Sequence, residues 1–308
     1  MTAAAQPETV AQPGAATRAH RGTIQLEEGV ILQRTACAAQ QYVLRIAAPR
    51  SAHLATPGSF VHLRCAARLP MRRPLSIMRA AADAGWIEVL FKVTGAGTAA
   101  LAGQQAGAAL SVLGPIGRGF TLRPERPRVL AIGGGVGIPP MVLLAEQLPG
   151  DRRADWKPLV LMGSEIPFPF QARPSRIMVP AAPAEAIACM PLLDEWGVPS
   201  RLASHAGYAG CFSGHVTKLA EHWLRALAPA ELAEVAIYAC GPEAMLAATA
   251  KLARTLELPC QLSLEEYMAC AVGGCAGCTV EVHTASGRTM QRVCVDGPVF
   301  DAAAIYPG

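Results

Sequence analysis

The chain has 308 residues, of which 52% are hydrophobic and 16% are charged, and its formal net charge is +4 at pH 7. This composition excludes an intrinsically disordered chain, because such chains combine low hydrophobicity with high net charge. The small net charge, without a run of Lys or Arg, also excludes an extended nucleic-acid-binding surface. The length allows two domains and a small third one.

The N-terminal range 1–21 is rich in Ala, Thr, Gln and Pro and has no apolar core of a secretory signal. We interpret it as a disordered tail, with a transit peptide as the alternative. The most apolar stretch, 129–145, is interrupted by three glycines and two prolines, so we expect no membrane span. Six of the ten cysteines are scattered without a disulfide-like rhythm, which favours a reducing, cytoplasmic location.

The range 22–124 contains about six short β-like segments separated by Gly and Pro, which predicts a small antiparallel barrel. The segment 73–76 (RPLS) offers a charged guanidinium and a hydroxyl, both suited to a phosphate or a ribityl chain. The segment 92–98 (KVTGAGT) leads from a strand into a helix start, whose free N–H groups can hold an anion. Taken singly, each segment is more often a solvated edge arginine or a simple turn.

The range 125–259 alternates buried strands (128–133, 158–163 and 234–240) with helices such as 216–227, which predicts a parallel α/β sheet. The loop 133–140 (GGGVGIPP) joins the first strand to a helix, and this arrangement receives a dinucleotide pyrophosphate, although the spacing departs from G-x-G-x-x-G. Cys240 ends the last strand at the ligand-binding edge of such sheets. A cysteine there is by itself more often a small buried hydrophobe.

The range 260–308 contains four cysteines, Cys270, Cys275, Cys278 and Cys294, with the spacing C-x4-C-x2-C and a distant fourth. This is the plant-type pattern for a 2Fe-2S cluster, in which each iron takes two thiolates. Only small or aliphatic residues separate the first three, so the backbone can wrap closely and direct N–H groups at sulfur. A structural zinc site is the alternative, although zinc sites usually have two well-separated cysteine pairs.

Five segments in order, RRPLSI, KVTGAGT, GPIGRGF, GGGVGIPP and YACGPEAM, resemble the flavin and nicotinamide motifs of the ferredoxin reductase family. With the cysteine segment and its RVCVDGPVF ending, the chain resembles more narrowly the iron-sulfur electron-transfer subunits of NAD-dependent dihydroorotate dehydrogenase, over about 23–300. The resemblance implies a flavin-binding barrel at 22–124, an NAD-binding α/β domain at 125–259 and a small 2Fe-2S module at 260–308.

The resemblance also implies a set of site residues. The FAD contacts would come from Arg73, Pro74, Leu75, Ser76, Leu90, Phe91, Lys92, Gly97 and Thr98. The NAD contacts would come from Gly134, Gly135, Val136, Gly137, Gly241 and Pro242. Cys240 would lie near the nicotinamide as the catalytic residue, and the four cysteines would hold the cluster.

The region 163–214 is longer and richer in proline than is usual in these subunits, and we expect it to be a surface excursion from the sheet. Glu165 follows the second strand of the sheet. Its carboxylate favours a nucleotide with an unphosphorylated ribose, or it is an ordinary loop acid.

The implied function is to relay electrons between the flavin of a partner dihydroorotate dehydrogenase and NAD, through the cluster and FAD, in pyrimidine biosynthesis. The partner would be a catalytic flavoprotein subunit in a hetero-oligomer. One alternative is the small subunit of an NADH-dependent ferredoxin:NADP reductase, whose first ligand position is typically an aspartate rather than Cys270. Others are an oxygenase reductase and a non-catalytic flavin and iron-sulfur redox sensor.

Overall fold

The computed structural model describes residues 22–308, so the predicted tail at 1–21 lies outside the described residues. The first part is a closed six-stranded barrel with strand order β1-β2-β5-β4-β3-β6, in which every neighbouring pair is antiparallel. Its strands are β1 (Gln25–Cys37), β2 (Gln41–Ala47), β3 (Phe60–Leu63), β4 (Arg73–Ala81), β5 (Trp86–Lys92) and β6 (Ala109–Ile116). Helix α1 (Pro49–Leu54) follows β2, and α2 (Ala96–Ala102) follows β5. The predicted barrel is confirmed.

Strand β5 shows how the barrel joins the rest of the molecule. Ile87, Val89 and Phe91 point into the barrel core. Leu90, on the opposite face, packs in a second core that belongs to the α/β part of the chain. Because successive side chains of a strand point to opposite faces, one strand contributes to both cores.

The second part is a seven-stranded sheet with strand order β12-β11-β8-β7-β13-β14-β17. It consists of β7 (Arg128–Gly134), β8 (Lys157–Gly163), β11 (Ser200–Ser204), β12 (Phe212–Ser213), β13 (Val235–Cys240), β14 (Cys260–Ser263) and β17 (Val299–Asp301). All neighbouring pairs are parallel except β14 and β17, which are antiparallel. The predicted parallel-rich sheet is therefore confirmed.

Helices cover both faces of this sheet, which explains why its strands are continuous apolar runs. Val129 and Ala131 of β7 pack with α3 (Ile138–Gln147) on one face. Leu130 and Ile132 pack with α5 (Val216–Arg225) and α7 (Glu243–Thr255) on the other. The short helix α6 (Pro229–Leu232) precedes β13. No helix within residues 22–308 is long and apolar enough to cross a bilayer.

The expectation that 163–214 is only a surface excursion is wrong in part. This region contains the two-residue strands β9 (Arg173–Pro174) and β10 (Ala188–Cys189) and the helix α4 (Pro191–Glu195), but it also supplies β11 and β12 to the sheet. All five residues of β11 are buried. The sequence conceals this strand because its five residues are too few for a clear hydrophobic pattern, and a buried Arg201 interrupts them.

The cysteine segment is inserted between two strands of the main sheet. It leaves β14 at Ser263 and returns at β17, and it contains the antiparallel hairpin β15 (Thr279–Thr284) and β16 (Gly287–Arg292). Helix α8 (Ala302–Ile305) ends the fold. The region 260–308 therefore shares two strands with the sheet, and its division from the nucleotide domain stays a prediction.

Candidate functional site

The cysteine loop follows β14, and its backbone directs N–H groups at sulfur. The Cys275 N–H donates to Cys270 Sγ at 3.4 Å, and the Gly277 N–H donates to Cys275 Sγ at 3.5 Å. The Cys294 N–H donates to Cys278 Sγ at 3.4 Å. Such donors stabilise thiolates and tune a bound cluster.

The loop turns back on itself because three of its residues have positive φ. Gly273 has a φ of 77°, while Ala271 and Ala276 each have a φ of 56°. Residues with larger or branched side chains are disfavoured in this left-handed region. The small residues between the cysteines therefore permit the tight loop.

The four thiols are arranged as two pairs. The Cys270 thiol interacts with Cys275, and the Cys294 thiol interacts mainly with Cys278 and more weakly with Cys270. In the described range 22–308, no three of these sulfurs lie within 4.8 Å of one another. A single tetrahedral zinc would hold all four about 3.8 Å apart. Two pairs instead suit two irons with two thiolates each, so the donor geometry favours a 2Fe-2S cluster over zinc.

The two pairs differ in exposure. Cys275 is exposed and Cys270 is half-buried, whereas Cys278 and Cys294 are 3% and 1% exposed. Burial alone would raise the pKa of Cys270, but backbone N–H groups of Val272, Cys275 and Gly274 outweigh it and lower the pKa to about 7. Burial and the neighbouring Cys278 thiol raise the pKa of Cys294 to about 12. Cys294 thus depends on a bound metal for its ionisation.

A charged pair that we did not identify from the sequence fastens the loop. Arg292 Nη1 donates to the Gly273 carbonyl at 2.9 Å. Asp296 Oδ2 accepts from the Arg292 backbone N–H at 2.9 Å and from Arg292 Nε at 3.2 Å. Burial would raise the pKa of Asp296, but these donors hold it below its usual value. The signal in the sequence is an Arg and an Asp flanking Cys294 in an otherwise apolar stretch.

The predicted flavin residues border a gap between β4 and β5. These strands pair from Ala81 and Trp86 as far as Ile77 and Val89. Beyond that point, 73–76 pairs with β3, and 90–92 pairs with β2. The two predicted segments are therefore not paired with each other, and we call the region between their facing edges the flavin cleft.

Arg73 is the first residue of β4, beside the start of α2. Its Nη1 donates to the carbonyls of Met71 and Arg72 at 3.1 and 3.0 Å. A Cβ atom on Gly97 would lie 2.7 Å from Arg73 Nε, so only glycine lets the guanidinium lie across the start of α2. Thr98 Oγ1 accepts from the N–H groups of Thr94 and Gly95 at 2.9 and 3.3 Å, which caps α2.

Two of the residues predicted to contact the flavin have side chains that are buried in the protein cores. Leu90 and Phe91 are each 2% exposed, one in each core. Phe91 also stacks on Tyr42, with 5.7 Å between ring centroids. Only their main chain, together with the partly exposed Lys92, can face the cleft.

The glycine loop and the Cys240 turn lie against each other at the carboxyl edge of the sheet. Cys240 of β13 pairs with Gly133 of β7. A Cβ atom on Gly137 would contact the Cys240 carbonyl and lie 2.5 Å from the Gly241 nitrogen. Gly135 has a φ of 53° in the 3-10 turn that links β7 to α3.

The other predicted nucleotide residues lie at the same edge. A Cβ atom on Gly134 would lie 3.0 Å from Pro242 Cδ, and Val136 is exposed. The 3-10 turn also contacts β5, so the glycine loop adjoins the flavin cleft. The structure therefore brings the predicted flavin and nucleotide residues together.

Cys240 is fully buried, and burial raises the pKa of its thiol well above the usual value. The Sγ atom donates to Glu265 Oε1 at 3.9 Å, from the loop that follows the adjacent strand β14. A protonated, enclosed thiol is a poor nucleophile. Any contribution of Cys240 to the chemistry is therefore made by its shape and by S–H donation, and its catalytic role stays a prediction.

Strand β3 joins the flavin cleft to the cysteine loop. Its residue Phe60 packs in the same core as Met268 and Ala271 of the loop. His62 is on this face of β3 and is fully buried, and neither ring nitrogen has a hydrogen-bond partner of good geometry within the described residues. Burial, with a smaller contribution from Arg72, lowers the pKa of His62 to about 4. Sequence reasoning missed this histidine, because a lone His in a strand carries no motif.

A family model described as the iron-sulfur cluster binding domain of dihydroorotate dehydrogenase B matches residues 265–306. Among solved structures, one of an NADH-dependent reduced ferredoxin-NADP oxidoreductase has a TM-score of 0.72 at 23% identity, covering 90% of this chain and 89% of that one. This likeness shows a shared ferredoxin reductase-like fold.

Relatives match nearly the whole chain. The dihydroorotate dehydrogenase B (NAD(+)) electron transfer subunit of Bacillus caldolyticus is 33% identical over 285 residues, which is 91% of this chain and 98% of the relative. The subunit of the same name from Desulforamulus reducens is 31% identical over 262 residues, 84% of this chain and 90% of the relative. The chain therefore belongs to the family of dihydroorotate dehydrogenase B (NAD(+)) electron transfer subunits.

Proposed function

We propose that this protein relays electrons between the flavin of a catalytic dihydroorotate dehydrogenase subunit and NAD, through a 2Fe-2S cluster and FAD, in pyrimidine biosynthesis. The observation that carries this proposal is the order of three adjoining sites. The cysteine loop packs on the outer face of β3, the flavin cleft follows at β4 and β5, and the glycine loop adjoins β5.

The alternation of side chains supports this order. His62 pairs with Pro74, and Phe60 pairs with Ser76. Residues directly opposite in antiparallel strands share one face of the sheet, so Pro74 and Ser76 face the same way as Phe60, toward the cysteine loop. Leu75 packs against the barrel core instead.

The residues present fit an FAD and a nicotinamide nucleotide. Arg73 supplies a charged fork for phosphate, and the cleft between β4 and β5 admits an extended group. The glycine loop would meet a pyrophosphate with its main chain at Gly135 and Val136, just before the ten-residue helix α3, and a Cβ atom on Gly135 would contact nothing within 4 Å. When bound, the flavin exchanges a hydride with the nicotinamide and single electrons with the cluster.

Cys270 and Cys275, the more exposed pair of cysteines, mark the surface that would meet the partner subunit. Val272 and Cys275 are exposed, whereas Ala271 is only 1% exposed. Tyr267, 95% exposed, lies beside them. An exposed apolar loop of small residues allows the partner to approach closely, and exposed apolar groups commonly mark such interfaces.

We further place the protein in the cytoplasm as one subunit of a hetero-oligomer. All ten cysteines are free thiols in the structure, which supports a reducing compartment. The assembly is tested by purifying the protein from its native source and looking for a flavoprotein subunit that co-purifies with it. We expect that subunit to be lost when Val272 in the exposed loop is altered.

The function is tested by separating two activities. In a Cys278→Ser variant, NADH oxidation with an artificial acceptor that takes electrons from FAD should persist, because Cys278 lies on the cysteine-loop side of β3. Electron exchange with the dihydroorotate-oxidising subunit should fall by orders of magnitude. Stopped-flow absorbance follows the bleaching of the flavin on addition of NADH, and steady-state assays follow the partner-linked reaction.

The matched control is Cys37→Ser, which removes a partly exposed thiol outside the loop. It should retain both activities. Partner-linked turnover that survives in Cys278→Ser contradicts the relay. A flavin that NADH fails to bleach in the wild-type protein contradicts the reductase function itself and favours a redox sensor.

A further inference from the structure

A second group of metal-ligating side chains lies at the far part of the sheet, apart from the four cysteines. Glu165, His205 and His215 are all exposed, and their ligand atoms lie within 4.8 Å of one another. The two imidazole rings meet edge to face, with 4.4 Å between their centroids. Three residues separated by up to 50 positions in the chain therefore converge on one point that is open to solvent.

The sheet explains the convergence. Glu165 lies two residues beyond β8, His205 directly follows β11, and His215 lies two residues beyond β12. These three strands are adjacent and parallel, so their carboxyl ends meet at one edge. The ligand positions are set by the fold rather than by a flexible loop.

Main-chain hydrogen bonds hold the three backbones close to those strand ends. The Ser164 N–H donates to the Ala203 carbonyl at 3.2 Å, and the Gly214 N–H donates to the Ser204 carbonyl at 3.3 Å. The His215 carbonyl accepts from the N–H groups of Lys218 and Leu219 at the start of α5. A site supported by strands and a helix keeps its geometry better than one on a free loop.

We propose that Glu165, His205 and His215 bind one divalent transition-metal ion of the zinc class. Two imidazole nitrogens and a carboxylate form a three-ligand set that zinc accepts, with water completing the tetrahedron. Bonds of about 2.0–2.2 Å require the ligand atoms to lie about 3–3.5 Å apart, and rotation of exposed side chains provides this approach. The single negative charge of the set suits a divalent cation.

The proposal is independent of the electron relay, because it uses none of the cysteines or cleft residues. It does place the ion at the carboxyl edge of the sheet, near the region expected to receive the adenosine end of a nucleotide. A bound ion would therefore compete with the nucleotide at that edge. Recognition of ribose by the same three side chains is the competing interpretation, and the experiment separates the two.

The test is a titration of the protein, with its cluster and flavin intact, by Zn²⁺ in a calorimeter. We expect one equivalent to bind to the wild-type protein, and its affinity to fall at least about 100-fold in a His205→Asn, His215→Asn double variant. X-ray absorption at the zinc edge should show nitrogen and oxygen neighbours at about 2.0–2.1 Å and no sulfur at about 2.3 Å.

The control variant is His53→Asn, which removes an exposed histidine on α1 and should leave zinc binding unchanged. Sulfur neighbours, or an unchanged affinity in the double variant, would place the ion elsewhere and overturn the proposal. The proposal would also be overturned if the wild-type protein bound no zinc and the double variant had an altered KM for NADH in zinc-free buffer. That result would assign the three residues to nucleotide binding.

Discussion

The cysteine loop and the flavin and nucleotide cleft are built in opposite ways. Three of the four cysteines occur within nine residues, and the hairpin of β15 and β16 returns the fourth to them. The cleft takes its residues from β4, β5, the start of α2, the glycine loop and the end of β13. One site is almost contiguous in sequence, and the other is assembled by two domains.

This difference predicts how each site fails. Four thiolates share one cluster, so the loss of one ligand disrupts the whole group. In the cleft, each predicted residue would contribute a separate contact, and the loss of one should weaken binding by the free energy of that contact. Four changes test the contrast, from the largest expected effect to the smallest.

Replacing Cys275 with Ser should abolish the cluster while leaving FAD bound, because Cys275 is exposed and lies outside the barrel. Analysis of iron and acid-labile sulfide, together with the visible spectrum, measures the loss. Cys37→Ser should keep the full content of iron and sulfide. Stoichiometric zinc without acid-labile sulfide in anaerobically prepared wild-type protein would show that the two thiol pairs do not hold a 2Fe-2S cluster.

Replacing Arg73 with Ala should weaken FAD binding about 10- to 100-fold, since a charge-assisted contact to phosphate contributes about 1.5–3 kcal/mol. The iron and sulfide content should not change, because Arg73 lies across α2 rather than in the loop. Flavin retained after dialysis gives the measurement. Arg68→Ala, on an exposed arginine of the same barrel, is the control, and an equal FAD content in both variants would exclude the phosphate contact.

Replacing Gly137 with Ala should reduce the affinity for NADH and the stability of the α/β part. The new Cβ would lie 2.5 Å from the Gly241 nitrogen, so the loop or the turn must move, at a cost of about 1–3 kcal/mol. The KM for NADH and the thermal unfolding midpoint report the two effects. Gly150→Ala, where the added Cβ contacts nothing within 4 Å, should be close to wild type in both.

His62 should make stability depend on pH. Its pKa in the folded protein is about 4, below the usual value of about 6.5, so the unfolded chain binds an extra proton between these values. The free energy of unfolding is therefore fully maintained above pH 6.5 and should fall by about 1–3 kcal/mol as the pH falls to 4.

The measurement is chemical denaturation at several pH values, comparing wild type with His62→Gln. The difference between their free energies of unfolding should change across this pH window, because only the wild type has the titrating ring. A difference that is constant from pH 7 to pH 4 would mean that His62 is protonated in the folded state as readily as in the unfolded chain.

Two features were hidden from the sequence for identifiable reasons. Strand β11 is too short to show a period, and the buried Arg201 interrupts it. Arg292, held by Asp296, donates to the Gly273 carbonyl nineteen positions earlier, and the two charges beside Cys294 indicate a pair but not the residue that it contacts. Leu90 and Phe91 were expected to contact FAD, which stays a prediction, and only the folded structure shows that their side chains are committed to the two cores.

The barrel, the parallel sheet and the cysteine loop are predictable from the sequence, because strand periodicity, glycine loops and cysteine spacing are local consequences of backbone geometry and ligand chemistry. The tertiary structure alone decided which residues meet. The separation of β4 from β5, the burial of Cys240 and His62, and the meeting of Glu165 with His205 and His215 arise from contacts between distant segments. Such contacts depend on how strands pair and which faces are covered, and short-range sequence patterns do not encode them.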